Sequence, residues 1–569
     1  MKIAVDTEYD EVTKVPFIVT MADDSVSKLL YPDKKKDYWM IKQICESSDY
    51  TKIFHSATSD IYALSRIGIS VQPHYEDTFI MSSIIDENFS SRKLKELAKK
   101  YLKEPCLEAK ELNKIKNKCK KECKKKGIEF RWSLIPKETI EPYAVKDAEY
   151  TYALHNYFES KIKPYQKLYE MELELVPIVV DMQKRGHKID RSFCEVESEK
   201  LEQIYEFYYN KLVRFYGKLF NIGSPKDLRL LIKKAGLFIN EKTPTGLVST
   251  GKEVLEKFAD KSPIVQWIIN ARSCDKQVGT YYWPLLNEYT SPSDNTAHFS
   301  FYQSGTKSGR FSAELIQTIP NKQDKTEVKN NVRKAFIPRK GYTNYYFDYD
   351  QQEMKLFVHF TENMSLVKSI KNGIDPYIAT AIDIFGQEEY DKDPEDTRRI
   401  VKNICLGMIY GMGSNSLAAR LNLPLNQAYS ILSRYDQKYR VKSFLSKMAS
   451  LLNRQGYVSI DWIGRDYRVP KHLSYKCVNI IIQGSAAYII KLAMIRIKAY
   501  TAAYPGINML IQAHDELIVE IPNKYDHSII VPKIKELMED HTTFLVPITA
   551  SVKYSEVSWL DKKPRKVAA

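Results

Sequence analysis

Residues 398 to 413, RRIVKNICLGMIYGMG, restrict the fold and function more than any other stretch of this chain. On a helix, Arg398, Lys402, Leu406 and Tyr410 recur every fourth residue and form one stripe, with successive residues about 6 Å apart along the axis. Two cations lie toward the expected helix start, where free N–H groups and the helix dipole already favour anions. The spacing predicts a polyphosphate site; the competing hypothesis is an amphipathic helix with a basic solvent face.

Three glycines in the same stretch favour the first hypothesis. Gly407, Gly411 and Gly413 each lower helix stability relative to alanine, which indicates that something packs closely against this backbone. A ligand with phosphates at one end and a flat ring at the other would fit. We therefore expect a phosphate-bearing ligand here.

The net charge of +15 and the pI of about 9.0 predict a polyanionic partner, although charge alone does not separate DNA from RNA or a membrane surface. The 39 tyrosines favour nucleic acid, because aromatic rings stack on bases. Eight scattered cysteines form no disulfide framework and indicate a reducing compartment. We expect no bilayer-spanning run, no leader and nothing before the first domain, hence a cytoplasmic protein of several domains.

The N-terminal third carries carboxylates in a suggestive order. The strand KIAVDTE ends with Asp6 and Glu8 on one face, Asp60 follows, and Tyr143 and Asp147 are four residues apart on a helical pattern. This order resembles the proofreading 3′→5′ exonuclease domain of the DnaQ-like superfamily. The resemblance implies that the four acids hold two divalent metals, Mg²⁺ or Mn²⁺, and that Tyr143 orients the attacking water.

Two features of this region depart from a plain exonuclease pattern. Ser56 stands where family members often have Asn after a residue matching His55, which puts a primer-end contact in question. Residues 93 to 126 are rich in lysine. Cys119 and Cys123 could suggest zinc with Cys106, but no histidine completes a ligand set. A basic insertion that grips DNA phosphate is the preferred hypothesis.

Long amphipathic helices are predicted after residue 171, with little strand pattern until about residue 297. YYFDYDQQEMKL then predicts an apolar strand that Asp348 closes and a helix that begins at Glu353. IQAHDELIVEIP alternates on both sides of HDE and predicts a hairpin with Asp515 and Glu516 at its turn. With the opening stripe, these segments resemble the three motifs of the family A DNA polymerases.

The resemblance covers essentially the whole chain and implies a multidomain α/β and α+β fold. An RNase H-like exonuclease domain, residues 1 to 165, would precede a right-hand polymerase domain, residues 166 to 569, with no 5′-nuclease domain. The implied thumb is about 166 to 296, the palm about 297 to 365 and 455 to 569, and the fingers about 366 to 454.

The resemblance also implies site residues. Asp348 and Asp515 would hold two Mg²⁺ with the backbone carbonyl of Tyr349, and Glu516 is a weaker ligand candidate. The residues implied to bind the nucleotide are Arg398 and Lys402 at the phosphates, Lys402 also as a proton donor to pyrophosphate, Glu353 at the sugar 2′ position, Tyr410 beside the base, Leu406, Gln351 and Tyr377. Those implied to bind DNA are Arg310, Gln317, Asn479, Gln483 and His514.

Some positions depart from the polymerase pattern. Leu406 stands where the family usually has Phe or Tyr against the nucleotide sugar, and Cys405 replaces a common Asn. Tyr377 replaces a histidine that reaches the triphosphate; it can donate a hydrogen bond but carries no charge. Asp350 adds a third acid beside Asp348, where the family has Ser.

The predicted activity is template-directed DNA synthesis with proofreading, as in a phage or plasmid replicase acting as a monomer in the host cytoplasm. The expected partners are primer-template DNA, dNTPs and replication proteins such as a helicase-primase or a single-strand binding protein, and no membrane. The alternatives are a nucleic-acid-binding protein with inactive enzyme domains, a single-subunit RNA polymerase, and an RNase D-type exonuclease. The acids of both sites and Glu353 argue against them.

Overall fold

A computed structural model describes residues 1–10, 13–243, 245–320, 327–421 and 423–565. The strands are β1 Lys2–Tyr9, β2 Pro16–Ala22, β3 Ser27–Leu30, β4 Thr51–Phe54, β5 Tyr75–Asp77, β6 His187–Lys188, β7 Thr290–Ser291, β8 Thr296–Ala297, β9 Phe301–Tyr302, β10 Ser312–Ala313, β11 Tyr342–Tyr349, β12 Val458–Ile460, β13 Arg465–Tyr467, β14 Asn508–Ala513, β15 Glu516–Pro522, β16 Ala550–Ser555 and β17 Lys563–Pro564.

Helices occupy most of the space between these strands. They are α1 Lys35–Glu46, α2 Ala57–Arg66, α3 Thr78–Ile85, α4 Leu94–Leu97, α5 Leu107–Lys126, α6 Lys137–Ile162, α7 Gln166–Arg185, α8 Arg191–Tyr216, α9 Pro225–Lys234, α10 Lys252–Glu256, α11 Pro263–Gln277, α12 Gln352–Thr361, α13 Met364–Lys371, α14 Pro376–Phe385, α15 Gln387–Lys392, α16 Pro394–Ile409, α17 Ser414–Leu421, α18 Leu425–Tyr439, α19 Val441–Gln455, α20 Lys476–Thr501 and α21 His527–Met538.

The N-terminal sheet has the strand order β3-β2-β1-β4-β5, with β1 antiparallel to β2 and parallel to β4. Helix α6 packs against β1 and β2 through an apolar face that includes Ile140, Ala144 and Ala148. Because Tyr143 and Asp147 belong to the turns that carry this face, the packing of α6 brings them to the end of β1. The predicted helix around these two residues is confirmed.

The C-terminal sheet has the order β14-β15-β11-β16-β17 and is antiparallel throughout. Its middle strand β11 is buried from Thr343 to Phe347, and Asp348 comes next. In register, Asp348 lies opposite Glu516 of β15. The predicted hairpin is confirmed, but its turn consists of His514 and Asp515, and Glu516 is the first residue of β15.

The 26-residue helix α20 corrects one prediction. Within the described ranges, it is long and apolar enough to cross a membrane by length and composition, so the expectation that no run reaches this length was wrong. However, 72% of its most apolar window is buried inside the protein, where it packs against α7, α12 and α21. Such burial is typical of the central helix of a globular core.

An ion pair with no solvent exposure joins α20 to α7. The Nζ atom of Lys491 lies 2.5 Å from Oε1 of Glu172, and both side chains are fully buried. Gln303 donates its amide to the other carboxylate oxygen of Glu172 at 2.8 Å. This cluster connects the helix after the N-terminal domain to the centre of the C-terminal part.

The N-terminal domain also contacts the β12-β13 hairpin directly. Arg468 forms an ion pair with the buried Glu87, and Tyr165 donates to Asp466 at 2.9 Å. Arg465, which is buried, donates to the carbonyl oxygen of Ser83 at 2.6 Å. These contacts fix the two halves of the chain against each other.

We predict that Lys491→Met lowers the free energy of unfolding by about 3–5 kcal/mol, because the Glu172 carboxylate would stay buried without its partner. Lys498→Met is the matched control, since Lys498 lies on the same helix and pairs with the exposed Asp181. Its expected loss is about 0–1 kcal/mol. Urea unfolding of both variants measures the difference, and equal losses would contradict the prediction.

Candidate active sites

Three acids form a compact cluster in the N-terminal domain. One carboxylate oxygen each from Asp6, Glu8 and Asp147 lies within 4.8 Å of the other two. The extended backbone of β1 directs Asp6 and Glu8 to one face, and α6 brings Asp147 to them. Asp60 is not part of this three-acid group. Its Oδ1 accepts hydrogen bonds from the backbone N–H and the hydroxyl of Thr7 at 3.1 and 2.7 Å.

The surroundings of the cluster strongly favour a cation. Burial raises the pKa of Asp6 to about 6, although nearby Lys95 lowers it, and burial together with Asp6 raises the pKa of Glu8. Burial and the charge of Asp6 also raise the pKa of Asp60. The Oδ2 atom of Asp6 is buried and makes no hydrogen bond within the described chain. Oxygen donors of this kind suit Mg²⁺ or Mn²⁺, so the donor set fits the predicted metals.

Lys95 is a residue of this site that the sequence did not reveal. Its ammonium forms an ion pair with Asp147 and lies 3.2 Å from Oε1 of Glu108. It also lies 4.2 Å from the ring centroid of Tyr143. Nothing in the lysine-rich sequence distinguishes Lys95 from its neighbours, because only the packing of α4 beside α6 brings it to the acids.

The zinc hypothesis receives no support from the described residues. The metal-compatible group found among them contains acids and no cysteine. Cys123 is buried on the inner side of α5, Cys106 is buried before its first turn, and all three candidate cysteines are free thiols. The pattern Cys119–Cys123 reflects the apolar face of a helix.

In the C-terminal sheet, Asp348 at the end of β11 and Asp515 in the β14–β15 turn are neighbours whose side chains interact electrostatically. Burial, Asp515 and Glu516, in that order, raise the pKa of Asp348 to about 7. Asp515 lines a cavity, but its carboxyl is still buried enough by the surrounding protein for its pKa to be raised as well. The phenol of Tyr349 donates to the carbonyl of Met538 at 2.9 Å, so this side chain points away from the acids.

Glu516 differs from the other two acids. Its Oε1 accepts a hydrogen bond from Trp559 Nε1 at 2.8 Å, and its Oε2 forms an ion pair with Lys562. Both oxygens are therefore engaged by residues near the C-terminal end of the described chain. The pair Asp348 and Asp515 is the better candidate for holding cations.

A cavity of about 460 Å³ lies beside this pair. Its wall contains several of the predicted DNA- and nucleotide-binding residues, namely Arg310, Gln317, Glu353, Gln483 and His514, together with the predicted metal ligand Asp515. Glu353 forms an ion pair with Arg310 and accepts a hydrogen bond from Tyr410 at 2.5 Å. Asn479 lies one turn before Gln483 on α20, and its Oδ1 has no hydrogen-bond partner among the described residues.

The stripe that opened the sequence argument lies on α16, but the helix start was predicted wrongly. The helix begins at Pro394, and its N-terminus is capped by the side chain of Asp393. Its first turn carries Glu395 and Asp396, so Arg398 lies one turn further in than expected. The free N–H groups of the helix start therefore do not contribute to an anion site, and the cations must do so alone.

Arg398 and Lys402 flank the buried ring of Tyr377, at 5.5 and 5.8 Å from its centroid. Arg398 donates to Oδ2 of Asp375 at 2.6 Å, and the amide of Gln351 donates to the same oxygen at 2.7 Å. Asp375 was not predicted. Its position before Pro376 in DPYIATA is typical of a helix cap, and its other oxygen does cap α14.

Two family profiles match the chain. The profile for DNA polymerase family A matches residues 191–561, and one for a 3′-5′ exonuclease matches residues 1–163. The chain belongs to DNA polymerase family A. It is 32% identical over 415 residues to DNA polymerase I of Caldicellulosiruptor bescii, covering 70% of this chain and 48% of that protein. Over 518 residues it is 29% identical to DNA polymerase I of Borreliella burgdorferi, covering 88% of this chain and 54% of that protein.

The chain thus spans about half the length of the curated family A relatives that it matches. A solved structure shares the fold: the POL domain of Pol1 from M. smegmatis in complex with DNA primer-template and dNTP. The TM-score is 0.81 at 23% identity, over 98% of this chain and 96% of that one. The predicted fold class, an exonuclease domain before a family A polymerase domain, is confirmed.

For this family A chain, the glycines of the stripe have an internal explanation. Gly411 has φ +77°, and the helix ends with the amides of Gly411 and Met412 bonded to the carbonyls of Met408 and Gly407. This is a Schellman motif, which requires a left-handed residue. A Cβ on Gly407 would meet Met412 at 2.7 Å. The protein's own side chains pack against Gly407 and Gly411, so the ligand explanation was wrong for these two; a Cβ on Gly413 would meet nothing within 4 Å.

We predict that Gly411→Ala destabilises the end of α16 by about 1–2 kcal/mol, because alanine is strained at positive φ and its Cβ would meet the Tyr475 ring at 2.8 Å. Hydrogen exchange at the amides of Tyr410 and Met412 should accelerate roughly 5- to 30-fold. Gly413→Ala is the matched control, because its Cβ would meet nothing within 4 Å. Unchanged exchange in Gly411→Ala would contradict this explanation.

Proposed function

We propose that this chain is a template-directed DNA polymerase with a 3′→5′ proofreading exonuclease. One observation carries the proposal: the cavity of about 460 Å³ is lined by predicted DNA- and nucleotide-contacting residues from four separate segments, and it opens beside Asp515. Membership of DNA polymerase family A supports the same conclusion. The finer features, a phage or plasmid replicase acting as a cytoplasmic monomer, belong to the proposal.

In the polymerase site, Asp348 and Asp515 would hold two Mg²⁺, and the carbonyl of Tyr349 would contribute to one. Bound there, the metals lower the pKa of the primer 3′-hydroxyl and neutralise charge on the leaving pyrophosphate. The two partly buried carboxylates repel each other, which makes a shared cation favourable. Glu516 contributes negative potential while Lys562 and Trp559 hold its oxygens.

The incoming dNTP would lie between α16 and the sheet. Its phosphates would replace Asp375 as the partner of Arg398, with Lys402 beside them as proton donor to pyrophosphate. Tyr410 would lie beside the base and Leu406 beside the sugar. Glu353, held by Arg310 and Tyr410, would occupy the space needed by a 2′-hydroxyl. Gln317, Asn479, Gln483 and His514 would contact primer and template.

In the exonuclease site, Asp6, Glu8 and Asp147 would hold two divalent metals, with Asp60 supporting them through Thr7. Burial raises the pKa of Tyr143 above its usual range, so this phenol stays protonated and can donate a hydrogen bond to the attacking water. The proposed partners are primer-template DNA, dNTPs and replication proteins such as a helicase-primase or a single-strand binding protein.

The two proposed sites should be separable by substitution. We expect Asp348→Ala or Asp515→Ala to abolish primer extension with Mg²⁺ and to spare excision of a mismatched 3′ end. The double variant Asp6→Ala, Glu8→Ala should do the reverse, because the two acidic sites belong to different domains. The measurement is extension and excision on matched and mismatched primers of the same template.

The polymerase-site variants and the exonuclease-site double variant are controls for each other. Loss of both activities in a variant that retains the parent's unfolding midpoint would contradict the assignment of two sites. Extension with NTPs and no primer would instead favour the RNA polymerase alternative. Excision without any extension by the parent would favour the exonuclease alternative.

We predict that Glu353→Ala raises the ratio of ribonucleotide to deoxynucleotide incorporation by roughly tenfold or more, because a steric block worth at least 1.4 kcal/mol is removed. Glu353→Gln is the matched control: it keeps the side-chain volume and an acceptor for Tyr410 but loses the charge that pairs with Arg310. Its ratio should remain near the parent's. Single-nucleotide insertion kinetics measure both, and an unchanged ratio in Glu353→Ala would remove this role.

A further inference from the structure

The lysines of α5 are the largest feature that the proposed sites do not use. The helix carries nine lysines against three glutamates. Lys110, Lys114, Lys118, Lys121 and Lys125 are exposed and recur at intervals of three or four residues, so they form one stripe along the helix. We call these five residues the basic stripe. It spans roughly 22 Å at about 1.5 Å per residue.

The opposite face of α5 is fixed to the exonuclease domain. Leu112 is buried and Ile115 partly buried in a small core with Ile140, Ala144 and Tyr143. Cys123 is also buried on this side. The basic stripe is therefore held in a defined position on the domain that contains the acidic cluster.

The direction of α5 relates the stripe to that cluster. Glu108, in the first turn, lies 3.2 Å from the ammonium of Lys95, which itself pairs with Asp147 of the cluster. The last residue, Lys126, is roughly 27 Å further along the helix axis. The helix thus starts one side chain from the acids and runs away from them, with lysine on its solvent face throughout.

Aromatic rings border the same helix. Lys116 lies 4.0 Å from the ring centroid of Trp132, and Lys120 lies 5.2 Å from that of Phe130. Both rings are partly exposed, and Leu134 beside them is 47% exposed. A basic track with interleaved aromatic rings is the usual arrangement for single-stranded nucleic acid, because the cations contact phosphates and the rings stack on bases.

We propose that the basic stripe of α5 binds the single-stranded 3′ segment of a DNA strand and guides it to the acidic cluster. The proposal rests on the proposed exonuclease function of that cluster. Single strands are favoured over duplex because the helix leads to a site where one strand end must be cleaved, and because the adjacent rings can stack only on unpaired bases.

The test compares two variants that remove the same charge. One is Lys114→Gln, Lys118→Gln, Lys121→Gln, in the stripe. The other, the α6 variant, is Lys161→Gln, Lys163→Gln, Lys167→Gln. Its three exposed lysines lie at and just after the C-terminal end of α6, and Lys161 is roughly 27 Å along that helix from Tyr143. Unfolding midpoints equal to the parent's establish that both variants are folded.

For a single-stranded DNA of about 20 nucleotides, the stripe variant should show a KM for excision raised roughly tenfold at low salt, with kcat unchanged. The slope of log affinity against log salt should become shallower by up to about 2, since each lost phosphate contact removes about 0.7. A trinucleotide, too short to extend along the stripe to Lys118 and Lys121, should be cleaved almost equally by parent and variant. The α6 variant should match the parent on both substrates.

Several outcomes would overturn the inference. An unchanged KM and salt slope in the stripe variant would do so while leaving the exonuclease function intact. Equal weakening on the trinucleotide would assign the lysines to the acidic site itself, and equal loss for blunt duplex would assign them to duplex DNA. If the parent protein excises nothing, fluorescence anisotropy of a labelled single strand still measures the slope of log affinity against log salt. That slope tests DNA binding by the basic stripe independently of excision.

Discussion

The like charges of Asp348 and Asp515 are the constraint on which the C-terminal half depends. Two carboxylates in surroundings that exclude water repel each other when both are charged. Burial raises the pKa of both groups, and the charge of Asp515 raises that of Asp348 further. The sheet prevents their separation, because β11 and β15 are paired in register from Tyr342 to Asp348. A site of this kind remains unfavourable until a cation or a proton enters it. The fold therefore favours cation binding at the end of β11, beside the β14–β15 turn.

A complementary constraint acts on α16, where the cation Arg398 needs an anion. Arg398 pairs with Asp375, and Gln351 donates to the same oxygen. The Asp375 carboxylate keeps the guanidinium oriented. The exonuclease domain uses the same principle with the signs reversed, since Lys95 pairs with Asp147 inside a cluster of acids. In both places, a charged group expected to meet a ligand, Arg398 or Asp147, has a protein partner of the opposite sign.

Much of both sites could be predicted from local patterns. The two-residue period of a strand predicted that Asp6 and Glu8 share a face. The four-residue spacing on a helix predicted the same for Tyr143 and Asp147, and alternating hydrophobicity predicted the hairpin around Asp515. The predictions failed where a helix boundary or a packing neighbour determined the structure. The helix around Arg398 starts earlier because Asp393 caps it, and Gly411 serves the helix end, which a pattern of glycines does not distinguish from a ligand contact.

The sequence by itself indicated the family and the order of the domains, through the resemblance of its motifs to known ones. Local spacing also placed several candidate acids and cations on common faces, because a strand and a helix each have a fixed period. Only the tertiary structure decided which groups face one another. Lys95 joins the exonuclease acids, Glu516 is engaged by Trp559 and Lys562, and Asp375 pairs with Arg398. Partners separated by tens of residues leave no periodic trace in a single sequence, since packing alone brings them together.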